Sequence, residues 1–178
     1  MQTNYSYGII TQIVFIRGNV ITRVFDLQGG SMEYIRKFYE MDLKEVMKIW
    51  YDCNLEAHDF IPREYWDRNF GYVSRLIPRS EVYVYEIGGE VVGFIGVDEG
   101  YISGLFVKPE YRNQGIGTKL LGYLLESYDV LELDVFENNF GAVRYYENRN
   151  FMKIEESVDE DLGEVEYRMF FRKKKEEA

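Results

Sequence analysis

One stretch restricts the fold of this chain more than any other: KPEYRNQGIGTKLL, residues 108–121. The apolar run GLFV leads into it, and TKLLGYLLES leaves it with apolar residues at helical spacing. A strand, a proline-marked turn and a helix are thus joined through Gly115 and Gly117. Glycines there remove the Cβ atoms that would keep a ligand off the backbone. The amides of a first helical turn have no partners inside the helix and carry the positive end of its dipole. A pyrophosphate suits such a place. A tight turn with no ligand is the plainer alternative.

Two phosphate-binding patterns fail. A P-loop needs G-x-x-x-x-G-K-[ST], but Lys119 follows Thr118 and no glycine stands at the required spacing. The dinucleotide fingerprint needs a third glycine where Leu120 stands, and its setting on the first strand of a βαβ unit is absent. What remains is R-x-x-G-x-G at Arg112, Gly115 and Gly117, a weak string taken alone.

The rest of the chain supplies a context. MEYIRKF from Met32 alternates like a strand, and Asp42 with Glu45 three residues on fits a capping box. Leu43, Val46, Met47, Trp50, Cys53 and Ala57 then recur at helical spacing. Pro62 breaks the pattern, a second helix runs to about Leu76, and Pro78 ends it. EVYVYEI and EVVGFIGV flank Gly88-Gly89 as a hairpin, and GYISGLFV is the next strand. After the glycine turn and its helix come the strand VLELDVF, a helix from Asn139 to about Asn150, and the strands FMKIEESV and EVEYRMFF around a turn at Asp159–Gly163. The order β-α-α-β-β-β-α-β-α-β-β predicts an α/β (α+β) domain over residues 32–172, with a mixed, mostly antiparallel sheet flanked by helices. EVEYRMFF could be an edge strand that pairs across a homodimer.

Residues 1–31 sit apart. IITQIVFIRGNVITRVF fits a hairpin around Gly18-Asn19, and Gln28-Gly29-Gly30-Ser31 breaks the chain before Met32. Two readings stand side by side: a genuine extra hairpin, or a translated leader ahead of an initiator Met32. The charged tail 173–178 reads as a solvated end.

The net charge of −10 gives no broad electrostatic reason to hold nucleic acid and favours cationic partners such as amines or basic peptides. One cysteine permits no intrachain disulfide, consistent with a reducing, cytoplasmic setting. Cys53 falls on an apolar helix face and reads as a packing residue rather than a nucleophile. With one histidine besides, no usual zinc set can form and no metal is expected. No apolar run approaches the ~20 residues of a membrane span, and no signal peptide is evident, so no membrane partner is expected.

A second stretch joins the glycine turn. LDVFENNFGAVRYYENRNF, residues 133–151, gives a strand, then N-x-x-A, then Tyr145-Tyr146-Glu147 and Phe151. Here the sequence resembles the GNAT superfamily of acyl-CoA-dependent N-acyltransferases. R-x-x-G-x-G matches that family's pyrophosphate motif, and the second stretch matches its N-x-x-A-x-x-[FY]-Y-E-x-x-G-F pattern. EAHDFIPREYW and DLGEVEYRMFF are similar to a bacterial subgroup of small acetyltransferases, some of which acetylate protein lysines. Two motifs in order, in a matching element order, are far more specific than either alone. Residues 1–31 are outside the resemblance. Asn150 departs from the usual glycine, but asparagine is the next-best residue for a left-handed helix end. YISGLFV lacks the glutamate that many members carry on that strand, which puts the base in doubt.

The resemblance implies transfer of an acetyl group from acetyl-CoA to a primary amine, on a small molecule, peptide or protein lysine, by direct attack. A non-catalytic acyl-CoA sensor is the alternative. The resemblance places Tyr146 as the acid that protonates the leaving thiolate, against the plain reading of a core tyrosine. Leu105, Phe106 and Val107 would offer backbone groups to the pantetheine arm, on a strand splayed from its neighbour. Arg112, Asn113, Gln114, Gly115, Ile116, Gly117 and Thr118 would hold the pyrophosphate, with Arg112 pairing a phosphate directly. Asn139 could touch the pantetheine or merely cap its helix. His58, the only histidine, could be the base or simply bonded within its turn; Glu56, Glu137 and a water chain are other routes for the proton. Phe60, Ile61, Tyr65 and Trp66 could shape the acceptor pocket or serve as packing.

Overall fold

The computed structural model describes residues 9–16, 19–26 and 32–174. β1 (Ile9–Ile16) and β2 (Asn19–Asp26) pair antiparallel, and β2 pairs with β3 (Glu33–Lys37) through Thr22 opposite Ile35. Gly18 of the expected turn, the Gln28–Ser31 segment and residues 175–178 lie outside the described residues.

From β3 onward the chain follows the expected order. α1 (Leu43–Ala57) and α2 (Arg63–Leu76) precede β4 (Glu81–Ile87), β5 (Glu90–Asp98) and β6 (Tyr101–Val107). Then come α3 (Ile116–Ser127), β7 (Val130–Phe136), α4 (Phe140–Glu147), β8 (Met152–Val158) and β9 (Val165–Arg172). The strands form one mixed sheet in the order β1-β2-β3-β4-β5-β6-β7-β9-β8. The β6–β7 pair is parallel and the other neighbours are antiparallel.

The central strands are buried on both faces. Tyr83, Tyr85, Val92 and Ile95 pack with Leu120, Leu121 and Leu124 of α3 on one side. Val82, Val84, Val91 and Phe94 pack with Val46, Ile49 and Trp50 of α1 on the other. Leu120, Leu121 and Leu124 are wholly excluded from solvent, each contributing ~1.5–3 kcal/mol by burial. α3 is thereby fixed to the sheet, and its N-terminus is fixed with it.

Two expectations are corrected. Asp42 does not form a capping box with Glu45. Its carboxylate accepts from the Tyr39 N–H at 2.8 Å and takes both terminal nitrogens of Arg36, at 2.6 and 2.8 Å. The Arg36 Nε reaches Glu86 at 2.8 Å, and Glu45 turns to Lys108 Nζ at 2.5 Å. A half-buried arginine between two carboxylates outcompetes a local cap. Second, EVEYRMFF is not an edge strand: β9 lies between β7 and β8, and β8 is the edge. β9 carries the core residue Met169, whereas every residue of β8 is exposed, so the strand with a buried side takes the interior place. The basis for expecting a homodimer through β9 falls with it.

Candidate active site

β6 and β7 pair only through Tyr101 and Glu132. Beyond that bridge they diverge, as a strand freed for ligand contact requires. The cause is visible next door. Pairing of β5 with β6 shifts between Gly96 and Val97, leaving Ser103 as an extra residue. A Cβ on Gly96 would stand 2.5 Å from Ser103 Oγ, so any other residue there would turn that hydroxyl aside. Bulges bend the strand that carries them. Gly104–Val107 therefore keep β5 on one side and have no strand partner on the other.

A cavity of about 670 Å³ fills the gap. Leu105, Phe106 and Val107 line one wall, and Asp134, Val135 and Phe136 line the other. Arg112, Asn113, Gly115, Ile116, Gly117 and Thr118 also line it. Asn139, Tyr146, His58 and Trp66 also line it. Gln114, Phe60, Ile61 and Tyr65 do not; Gln114 donates instead to the Glu110 carbonyl at 3.1 Å.

The glycine turn is built to leave α3 open. Gly115 takes φ +81°, and no side chain caps the helix. The Lys119 N–H bonds to the Gly115 carbonyl at 2.9 Å, so the amides of residues 116–118 precede the intrahelical ladder. A Cβ on Gly117 would lie 3.4 Å from the Tyr145 hydroxyl, so even the smallest side chain there would already touch α4.

Arg112 is committed elsewhere. Its Nε donates to the Val107 carbonyl at 3.0 Å, and its terminal nitrogens grip Glu56 at 2.7 and 2.9 Å. Sequence reasoning missed the cation beside the turn, Arg149. It donates to Thr118 Oγ1 at 2.6 Å and to the Tyr145 carbonyl at 2.8 Å, and stacks 3.6 Å over the Tyr145 ring. Among the described residues it meets no carboxylate, and its Nε and the Tyr145 hydroxyl are buried without partners. Only folding brings α4's end beside α3's start, so no local pattern marks Arg149.

Tyr146 sits on α4 at 7% exposure, with Tyr145 and Phe151 against its ring. Among the described residues its hydroxyl has no hydrogen-bond partner, although it lines the cavity. Burial pushes its ionisation well above the usual phenol range. α4 is short, and Asn150 at φ +64° turns the chain back into Phe151, the left-handed position expected there.

Asn139 and His58 form one unit. The Asn139 Oδ1 accepts from the Ala142 N–H at 3.1 Å, capping α4. That fixes the amide, so Nδ2 must be the group 3.1 Å from His58 Nε2. Nε2 is then an acceptor, and the neutral ring carries its proton on Nδ1. The ring stacks on Trp66 at 5.4 Å and meets Phe60 and Phe136 edge-on. Burial holds its pKa below the usual histidine value, with the Asn54 backbone near the ring opposing. Of the other candidate bases, Glu56 is held by Arg112, and Glu137 accepts from the Tyr167 hydroxyl.

Comparison with known proteins decides the lineage. Residues 43–151 match the Acetyltransferase (GNAT) family. The chain belongs to the GNAT family. It is 27% identical over 119 residues to the peptidyl-lysine N-acetyltransferase YiaC of Escherichia coli K12, covering 66% of this chain and 82% of that protein. An uncharacterized N-acetyltransferase of Archaeoglobus fulgidus is 32% identical over 139 residues, covering 68% and 94%. The solution structure of apo YjaB from Escherichia coli superposes with a TM-score of 0.71 at 25% identity, covering 78% of this chain and 96% of that one. The GNAT chain described here is therefore an acyltransferase, on a mixed sheet shared with its structural neighbours. No helix among its described residues is long and apolar enough to cross a membrane.

Proposed function

We propose that this protein moves an acetyl group from acetyl-CoA to the side-chain amine of a protein lysine, by direct attack with both substrates bound. The observation that carries the reading is the gap between β6 and β7, with open helical amides at one end and an unpartnered phenol within it. The residues present fit the cofactor. Arg149, with its buried unpartnered Nε, and the amides of residues 116–118 suit a pyrophosphate. The free side of β6 suits an extended pantetheine arm, which pairs like an added strand. The relative YiaC is named for peptidyl-lysine acetylation, and a Salmonella typhimurium structure of this fold, yncA, was solved with acetyl-CoA.

The thioester supplies an acyl carbon activated toward amines. A β6 backbone amide polarises its carbonyl oxygen. Tyr146, kept protonated by burial, gives its proton to the departing sulfur. His58 does not take the amine's proton, because Asn139 already occupies its one ring lone pair. His58 and Asn139 instead tie the end of α1 to the start of α4 and hold the cavity's width. The amine's proton passes into water in the cavity, and water returns one to Tyr146.

The test uses the full chain with acetyl-CoA, a panel of lysine peptides and small amines, and continuous measurement of free thiol. Acceptor-dependent thiol release with an acetylated lysine product supports the reading. No release with any amine refutes it.

A further inference from the structure

The carboxylates around the cavity are not equivalent. Asp134 on β7 is gripped by Arg168 at 2.9 Å through both Nε and a terminal nitrogen, and accepts from the Tyr101 hydroxyl at 3.0 Å. Glu56 is neutralised by Arg112. Glu166 on β9 also lines the cavity, yet it joins no ion pair among the described residues. Its one hydrogen bond comes from the Ser157 hydroxyl at 3.2 Å. It is therefore a carboxylate on the cavity wall that no cation of the described residues neutralises.

Its position is informative. Register places Glu166 opposite Phe136, the last residue of β7. The Phe136 ring packs edge-on to both His58 and Phe60, and His58 stacks on Trp66. The carboxylate thus stands beside an aromatic wall, away from the glycine turn. Tyr65 of α2 and Tyr101 of β6 both have raised pKa values, by burial first and then by acidic neighbours that include Glu166. Trp66 of α2 and Leu105 of β6 line the same cavity as Glu166. An apolar alkyl stem lying on aromatic rings, with its charged end at a carboxylate, is how a protein holds an alkylammonium.

We propose that Glu166 binds the ammonium group of the incoming acceptor, before its proton passes to cavity water, and is the residue that selects a cationic amine. This inference rests on the acetyltransferase reading above. Sequence offered no sign of it, because β9's neighbours are set by a sheet order that places β9 inside β8.

Wild type, Glu166→Gln and Glu166→Asp are compared with acetyl-CoA and a lysine peptide, with KM measured for each substrate at low and high salt. Loss of a charge-assisted contact predicts that Glu166→Gln raises the peptide KM about 10- to 100-fold. The KM for acetyl-CoA stays unchanged, Glu166→Asp retains part of the affinity, and high salt narrows the gap. If Glu166→Gln does not fold, Glu166→Asp and Glu166→Ser carry the same comparison. A peptide KM within twofold of wild type, or a loss in kcat with both KM values unchanged, overturns the proposal and leaves the acetyltransferase reading intact. Failure of wild type to turn over any amine would instead sink that reading, and this inference with it.

Discussion

Tyr146→Phe should move activity and stability in opposite directions. The hydroxyl has no partner among the described residues, and the side chain is 7% exposed. Removing it breaks no protein–protein hydrogen bond. The residue lines the cavity, where water can meet the hydroxyl, so most of the ~1–3 kcal/mol cost of an unsatisfied polar group is relieved and the variant should gain up to about 1 kcal/mol. For a chain of this length that is a rise of ~2–4 °C in Tm. The same hydroxyl, as the proton donor, is worth ~10²–10⁴ in kcat. Thiol release under saturating substrates and a thermal melt read both numbers on one preparation. Unchanged kcat would refute the acid role. A fall in Tm would show that the hydroxyl makes a structural bond, and the reasoning from its isolation would fail.

Other consequences follow from the same geometry. His58 has a folded pKa below its unfolded value of ~6.5, so the unfolded chain binds more protons there; stability should be full above about pH 6.5 and fall as pH drops below it. His58→Gln should flatten the Tm profile in that window. Asn139→Ala should cost ~0.5–2 kcal/mol through the lost cap of α4, and NMR titration should show the His58 pKa rising as Nε2 loses its donor. Gly104→Ala places a Cβ 2.3 Å from the Phe106 ring, which stacks on Phe94, so denaturant melts should show a loss of ~1–3 kcal/mol. A Tm unchanged by that substitution would mean the Phe106 ring is not held as described.

Local chemistry made much of this molecule legible. Helical spacing from Leu43 to Ala57, the Pro62 break and the Gly88-Gly89 turn each mark an element that formed where expected. Gly115 and Asn150 were readable because positive φ admits few residues. What stayed hidden depends on residues distant in sequence. Asp42 looked like a cap until Arg36 and Glu86 claimed its surroundings. Arg112 looked free for phosphate until α1 brought Glu56 to it. Arg149 and Glu166 reach the cavity only through the packing of α4 on α3 and the insertion of β9 beside β7. Spacing along the chain carries no information about either.

The central claim is that the acetyl group passes straight from thioester to amine within the β6–β7 gap. The measurement that tests it most directly is the initial velocity of acetyl transfer to a lysine peptide, over a matrix of both substrate concentrations. Direct transfer predicts intersecting double-reciprocal lines. Cys53, whose thiol ionisation burial pushes up against the pull of Arg112, should remain unmodified by mass spectrometry. Parallel lines with an acetylated Cys53, or no transfer at all, would contradict the account.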